Sequence, residues 1–167
     1  MSMDAGLLGR LHFLARVSRR EHEHLLATDR RLFTEPFSVA RARQLDTDVG
    51  LSERVEAFVA RFGRLQDTLG DKLVPALLRA LGEPVGAAID NLDRAERFGW
   101  LASVDNWMSA RQLRNQMIHE YIEDPAILAS ALQSGHELVP MLTGASTALH
   151  AELQKRGWLP DSAPRIR

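Results

Sequence analysis

The chain has 167 residues and nearly balanced charge, Lys+Arg 21 against Asp+Glu 22, so it carries no overall basic field for nucleic acid, and any RNA contact must come from a local group of arginines. It contains no cysteine, which excludes disulfides, thiolate metal sites and cysteine nucleophiles. This length suits one ordinary domain that buries a real core.

Residues 4 to 33 read as a helix, with Leu7, Leu11 and Leu14 at helical steps and Pro36 beyond its end. Arg10 and Arg16 break the apolar run of residues 7 to 17, so it is neither a signal peptide nor a membrane span. A soluble, cytoplasmic protein with no membrane partner is expected. Residues 35 to 50 form a polar connection with room for a short helix at residues 39 to 45. From Leu51 the series Val55, Phe58, Phe62, Leu65 and Leu69 marks an amphipathic helix with Ser52 as candidate N-cap. Gly70 and Pro75 predict a kink or break between them.

Pro84 suits the first turn of the next helix, with Val85, Ala88, Ile89, Leu92 and Ala95 as its buried face and Gly99 closing it. Ser103 or Asp105 then caps a helix that must finish by Glu123, because Asp124-Pro125 signals a new start. The last helix carries Leu128, Leu132, Val139, Leu142, Leu149 and Leu153, with a kink expected at Pro140 and an end at Gly157. Residues 158 to 167 read as a loose tail. No alternating strand pattern appears. The expected fold is all-α, an up-and-down bundle of four to six helices forming one domain over residues 1 to 157.

The chain is organised around residues 107 to 124, and within them Arg114-Asn115-Gln116-Met117-Ile118-His119-Glu120-Tyr121. Tyr121 is the only tyrosine. On a helix Arg111, Asn115 and His119 share one stripe, and Arg114, Ile118 and Tyr121 share another. Arg114 and His119 point roughly 140° apart, so one helix cannot focus both on one atom. A second copy across a two-fold axis brings them together, which predicts a homodimer with facing motif helices.

The octapeptide resembles the R-x4-H-x-Y motif of HEPN domains, with Asn115 matching the polar residue that often follows the arginine. The resemblance continues upstream through Asp90-Asn91-Leu92-Asp93-Arg94-Ala95-Glu96-Arg97-Phe98-Gly99-Trp100 and Trp107, as in the nucleotidyltransferase-substrate-binding-like branch. As architecture it covers residues 51 to 155. It implies a small helical toxin paired with a minimal nucleotidyltransferase antitoxin, acting on RNA. Arg114 and His119 become the catalytic candidates, and Asn115 and Arg111 the supporting or substrate-binding ones. Tyr121 is the implied site of AMP transfer by the partner, which would put negative charge on Arg114's stripe.

The residue types agree with that chemistry. RNA supplies its own nucleophile, the 2′-hydroxyl, so cleavage to a 2′,3′-cyclic phosphate and a 5′-hydroxyl needs no cofactor and no metal. It needs a base, an acid and a cation on the phosphorane. Histidine titrates near neutrality and arginine pairs with phosphate through its planar fork. Two alternatives remain: a non-catalytic nucleotide- or substrate-binding subunit of a nucleotidyltransferase, or a helical adaptor. The adaptor is favoured if Arg114 and His119 prove buried and paired within one subunit.

Other patterns carry less. His22-Glu23, His119-Glu120 and His136-Glu137 each lack the histidine four residues on that a helical zinc site requires, so no metal site is expected. His22 and His24 read as solvated surface residues. Arg10, Arg16, Arg19, Arg20, Arg30, Arg31, Arg41 and Arg43 read mainly as a salt-bridged surface, because acids are interleaved. One of Asp67, Asp71, Asp90 and Asp93 is available to pair with Arg114.

Overall fold

A computed structural model describes residues 3–119 and 123–159, which form an all-α helical bundle with no strand among them. Helix α1 (Ala5–Leu32) is followed by the short α2 (Val39–Arg43) and a 3-10 turn (Gln44–Asp46). Helix α3 (Val49–Asp67) runs through a π turn (Thr68–Leu73) into α4 (Val74–Ala80). Then come α5 (Ala88–Arg97), α6 (Val104–His119) and α7 (Pro125–Lys155).

Side-chain oxygens hold most of the helix starts, as capping chemistry requires. The Asp4 carboxylate accepts from the backbone N–H groups of Gly6 and Leu7, and Ser38 Oγ accepts from that of Arg41. Ser103 caps α6, its Oγ accepting from Asn106 N–H at 3.1 Å. Asp124 caps α7 with Pro125 in its first turn, as expected from sequence. Asp48, not Ser52, is the N-cap of α3: its carboxylate accepts from Leu51 N–H at 3.0 Å, and the helix begins at Val49. Gly99 and Gly157, in the left-handed region at φ +80° and +72°, follow the ends of α5 and α7.

The interruption expected between Gly70 and Pro75 takes the form of the π turn. Pro75 has no N–H to give to the preceding turn, and Val74 N–H instead reaches Leu69 O, one residue further back than in an α-helix. The helical path therefore continues rather than breaks. Pro140 likewise sits inside the continuous α7.

Helix α1 packs antiparallel to α3: Phe33 meets Phe58 edge-on at 5.1 Å between centroids, and Glu21 meets Thr68 at the other end. Helix α7 also lies antiparallel to α1, through Asp29–His136 and Ser18–His150. Phe58, Phe62, Leu65, Leu69, Trp107, Leu132, Leu142 and Leu149 are fully buried at the centre. Burial of this apolar surface is the main force holding the helices together.

Three expectations need correction. Helix α5 starts at Ala88, after Pro84, and its Ala88 and Ile89 are exposed. Asn91 turns inward instead, its side chain accepting from Gly86 N–H and donating to Gly86 O. His22 is buried, because α1 is covered on that side by α7. Trp158 and Leu159, assigned to a loose tail, pack against the core.

Candidate functional site

Helix α6 turns Val104, Trp107, Ala110 and Met117 into the core. Arg114 lies on that same inward stripe, since 107, 110, 114 and 117 follow helical steps. It is half-buried, and its Nη1 donates to both carboxylate oxygens of Asp67, each at 2.8 Å. Arg111, one turn earlier, pairs with Asp71, one turn later on the neighbouring segment. Two ion pairs thus run along the seam between α6 and the end of α3. Among the four candidate acids, the one that meets Arg114 is Asp67.

Two glycines allow this approach. A Cβ on Gly63 would lie 2.4 Å from Arg114 Nε and 2.8 Å from its Cζ, so the guanidinium rests on bare α3 backbone. A Cβ on Gly70 would lie 2.9 Å from Trp107 Nε1. Gln66, between them, donates from Nε2 to the Trp107 carbonyl at 2.7 Å. Sequence reasoning missed this seam. Its signal was the pair of glycines seven residues apart inside an apolar helix, where small residues mark close approach.

The other motif residues face outward. Asn115 and His119 are exposed, one turn apart, with no hydrogen bond or ion pair among the described residues. Ile118 beside them is 52 % exposed. The divergence expected from helical geometry is therefore present: Arg114 is turned to the bundle and His119 to solvent. Within one chain the two are not brought together. Tyr121 lies outside the described residues.

Comparison with protein-family models, curated proteins and solved structures finds no match. The functional reading of α6 therefore rests on its own residues.

Two further histidine sites escaped the sequence reading. His136 places Nδ1 2.6 Å from the buried Asp29 carboxylate and stacks on Phe33 at 4.2 Å, beside a cavity of ≈ 260 Å³. His150 and His22 lie buried between α1 and α7, with Ser18 Oγ 2.9 Å from His150 Nε2. Burial lowers both histidine pKa values, that of His150 to about 4, helped by nearby His22 and Arg19. Burial also raises Glu21, against the opposing hydrogen bond from Thr68. The histidine pairings join residues more than a hundred positions apart, and no local pattern announces them.

Proposed function

We propose that this protein is an RNase of the toxin type, cleaving RNA by 2′-hydroxyl attack at a site completed by a second copy of α6. The observation that carries the reading is the open Asn115–His119 edge of α6 with a pre-oriented arginine on its flank. Asp67 engages only Nη1 of Arg114, so Nε and Nη2 keep donors with no partner among the described residues. In the dimer, His119 of each copy serves as base or acid and the two Arg114 side chains hold the phosphate. Asp67 then acts as a positioning residue that fixes the guanidinium. A nucleotidyltransferase partner silences the enzyme, through AMP on Tyr121 or by covering α6.

A second reading, a nucleotide-binding subunit without activity of its own, draws support from the same ion pair. A carboxylate 2.8 Å from the guanidinium offsets part of the charge that a phosphorane would draw on. Incubating the purified protein with total RNA, with and without EDTA, separates the two. The RNase reading expects cleavage in both, cyclic phosphate ends, and a loss of about a hundredfold or more in His119→Ala with an unchanged circular dichroism spectrum. Cleavage that requires magnesium, or an active His119→Ala, overturns the mechanism. No cleavage at all favours the binding subunit.

A further inference from the structure

On the side of α3 turned away from α6, three arginines converge on one groove. Arg54 and Arg61 are seven residues apart, so both project from one stripe of α3. Arg31 comes from the last turn of α1, which packs antiparallel alongside. Arg61 is about 200° around the helix from Gly63, the residue against which Arg114 rests, so this groove is separate from the α6 seam. It encloses ≈ 510 Å³, with Thr28, Gly50 and Glu53 also on its walls.

In this groove three guanidiniums without a carboxylate partner among the described residues line one cavity. Arg19, Arg41, Arg111, Arg114 and Arg156 each have a carboxylate within 4.0 Å. Arg31, Arg54 and Arg61 have none among the described residues. Two of them are nevertheless held in place by neutral groups. Arg61 donates from Nη1 to Thr28 Oγ1 and to His24 O, and Arg54 donates from Nε to Gly50 O at 3.2 Å. That leaves Nε and Nη2 of Arg61 and both terminal nitrogens of Arg54 with N–H groups to give. Pre-oriented forks lose less freedom on binding an anion than mobile side chains do. Glu53 is the opposing charge, so the groove presents three positive charges against one negative.

We propose that this groove binds a small polyphosphate chain, as carried by a nucleoside triphosphate or by tripolyphosphate itself. Net positive charge of this size suits a multivalent anion better than a single carboxylate, and the volume lies within the range of small-ligand sites. No aromatic side chain lines the groove, so no ring is offered for a base to stack on. Recognition is directed to the phosphates and is indifferent to the base. The site goes beyond the α6 reading and does not depend on it.

Isothermal titration of the whole protein with ATP, GTP, tripolyphosphate and AMP tests the proposal. ATP, GTP and tripolyphosphate are expected to bind with similar affinity and AMP more weakly, with affinity falling as salt rises. Arg54→Ala and Arg31→Ala should each weaken tripolyphosphate binding roughly 10- to 100-fold, the range for a lost charged hydrogen bond. Arg61→Ala also removes the link to Thr28, so Arg54 and Arg31 are the deciding variants. Glu53→Gln should tighten binding, and His119→Ala should leave it unchanged. Absence of tripolyphosphate binding, or binding untouched by Arg54→Ala, overturns the proposal. So does an outcome in which a short oligoribonucleotide binds through Arg54 and tripolyphosphate does not compete, which would make the groove a track for RNA backbone.

Discussion

His150 is 8 % exposed, and its Nε2 lies 2.9 Å from Ser18 Oγ. Because Ser18 Oγ donates to Ala15 O, the ring Nε2–H is the donor to Ser18, and the lowered pKa keeps the imidazole neutral near pH 7. Buried His22 nearby has an Nδ1 without a hydrogen-bond partner among the described residues, so a proton on either ring would meet little compensation. The sign of the consequence is fixed by linkage. The folded pKa of His150, about 4, lies below the ordinary value of 6.5. The unfolded chain therefore takes up the proton first on acidification. Stability is complete above about pH 6.5 and falls as the pH drops towards 4, by about 3 kcal/mol at most. Lowered His22 adds in the same direction, whereas raised Glu21 opposes it near the carboxylate range. Urea unfolding at pH 7 and pH 4.5 should show a larger acid loss for the parent than for His150→Gln, which cannot titrate. Equal losses would mean that His150 does not stay neutral in the folded protein.

The seam between α6 and α3 depends on Gly63, and it offers a test in which one change relieves another. A Cβ there has no room beside Arg114 Nε at 2.4 Å, so Gly63→Ala forces the guanidinium off Asp67. The atoms it would meet belong to the movable end of a partly exposed arginine, so the cost is chiefly the lost ion pair, on the order of 1 kcal/mol or less, against a gain of about 0.5–1 kcal/mol for alanine over glycine inside a helix. Gly63→Ala should therefore change the stability of the parent little and raise that of the Arg114→Ala variant by about 0.5–1 kcal/mol, by urea unfolding. If the effect is the same in both backgrounds, the residue that a Cβ at position 63 displaces is not Arg114. Helix boundaries set by local chemistry, such as Asp124-Pro125 and the Ser103 cap, were legible in the sequence because they depend on neighbours a few positions away. The buried faces of α3 and α7 were legible because strong periodicity fixes them. What could not be read was the rotation of weaker faces. In α5, Ile89 was expected on the buried face but is exposed, and Asn91 is buried instead, since that helix is short and Asn91 finds its hydrogen bonds in the turn before it. Asp67 and Asp29 belong to the same class, since their partners come from helices distant in sequence, as does the cover that buries His22. In the motif, the stripes of Arg114 and His119 followed from helical geometry alone, but the partner of Arg114 did not.

At the scale of the whole molecule, the bundle leaves apolar surface where α6 gives way to α7. Ile118 is 52 % exposed and Ile127, in the first turns of α7, is 41 % exposed. Large aliphatic side chains scattered singly over a surface are ordinary. Here one of them adjoins His119 on the open edge of α6, where the proposed two-fold contact must form. The pairing also has to solve the geometric problem that one chain leaves unsolved, because Arg114 faces inward and His119 outward. A contact through Ile118 would seat the second α6 against this edge, bringing its His119 towards the flank where Arg114 keeps donors without a partner among the described residues. Ile118→Asp places a charge at the centre of that contact, which a desolvated apolar interface does not tolerate. Its exposure means that the folded monomer should lose little stability, within about 0.5 kcal/mol for a surface change. Light scattering at micromolar concentration should give a dimer for the parent and a monomer for Ile118→Asp. RNA cleavage should disappear with the dimer while tripolyphosphate binding at Arg31, Arg54 and Arg61 persists. A parent that is already monomeric would remove the shared site altogether, and a monomeric Ile118→Asp that still cleaves RNA would show that one copy of α6 suffices.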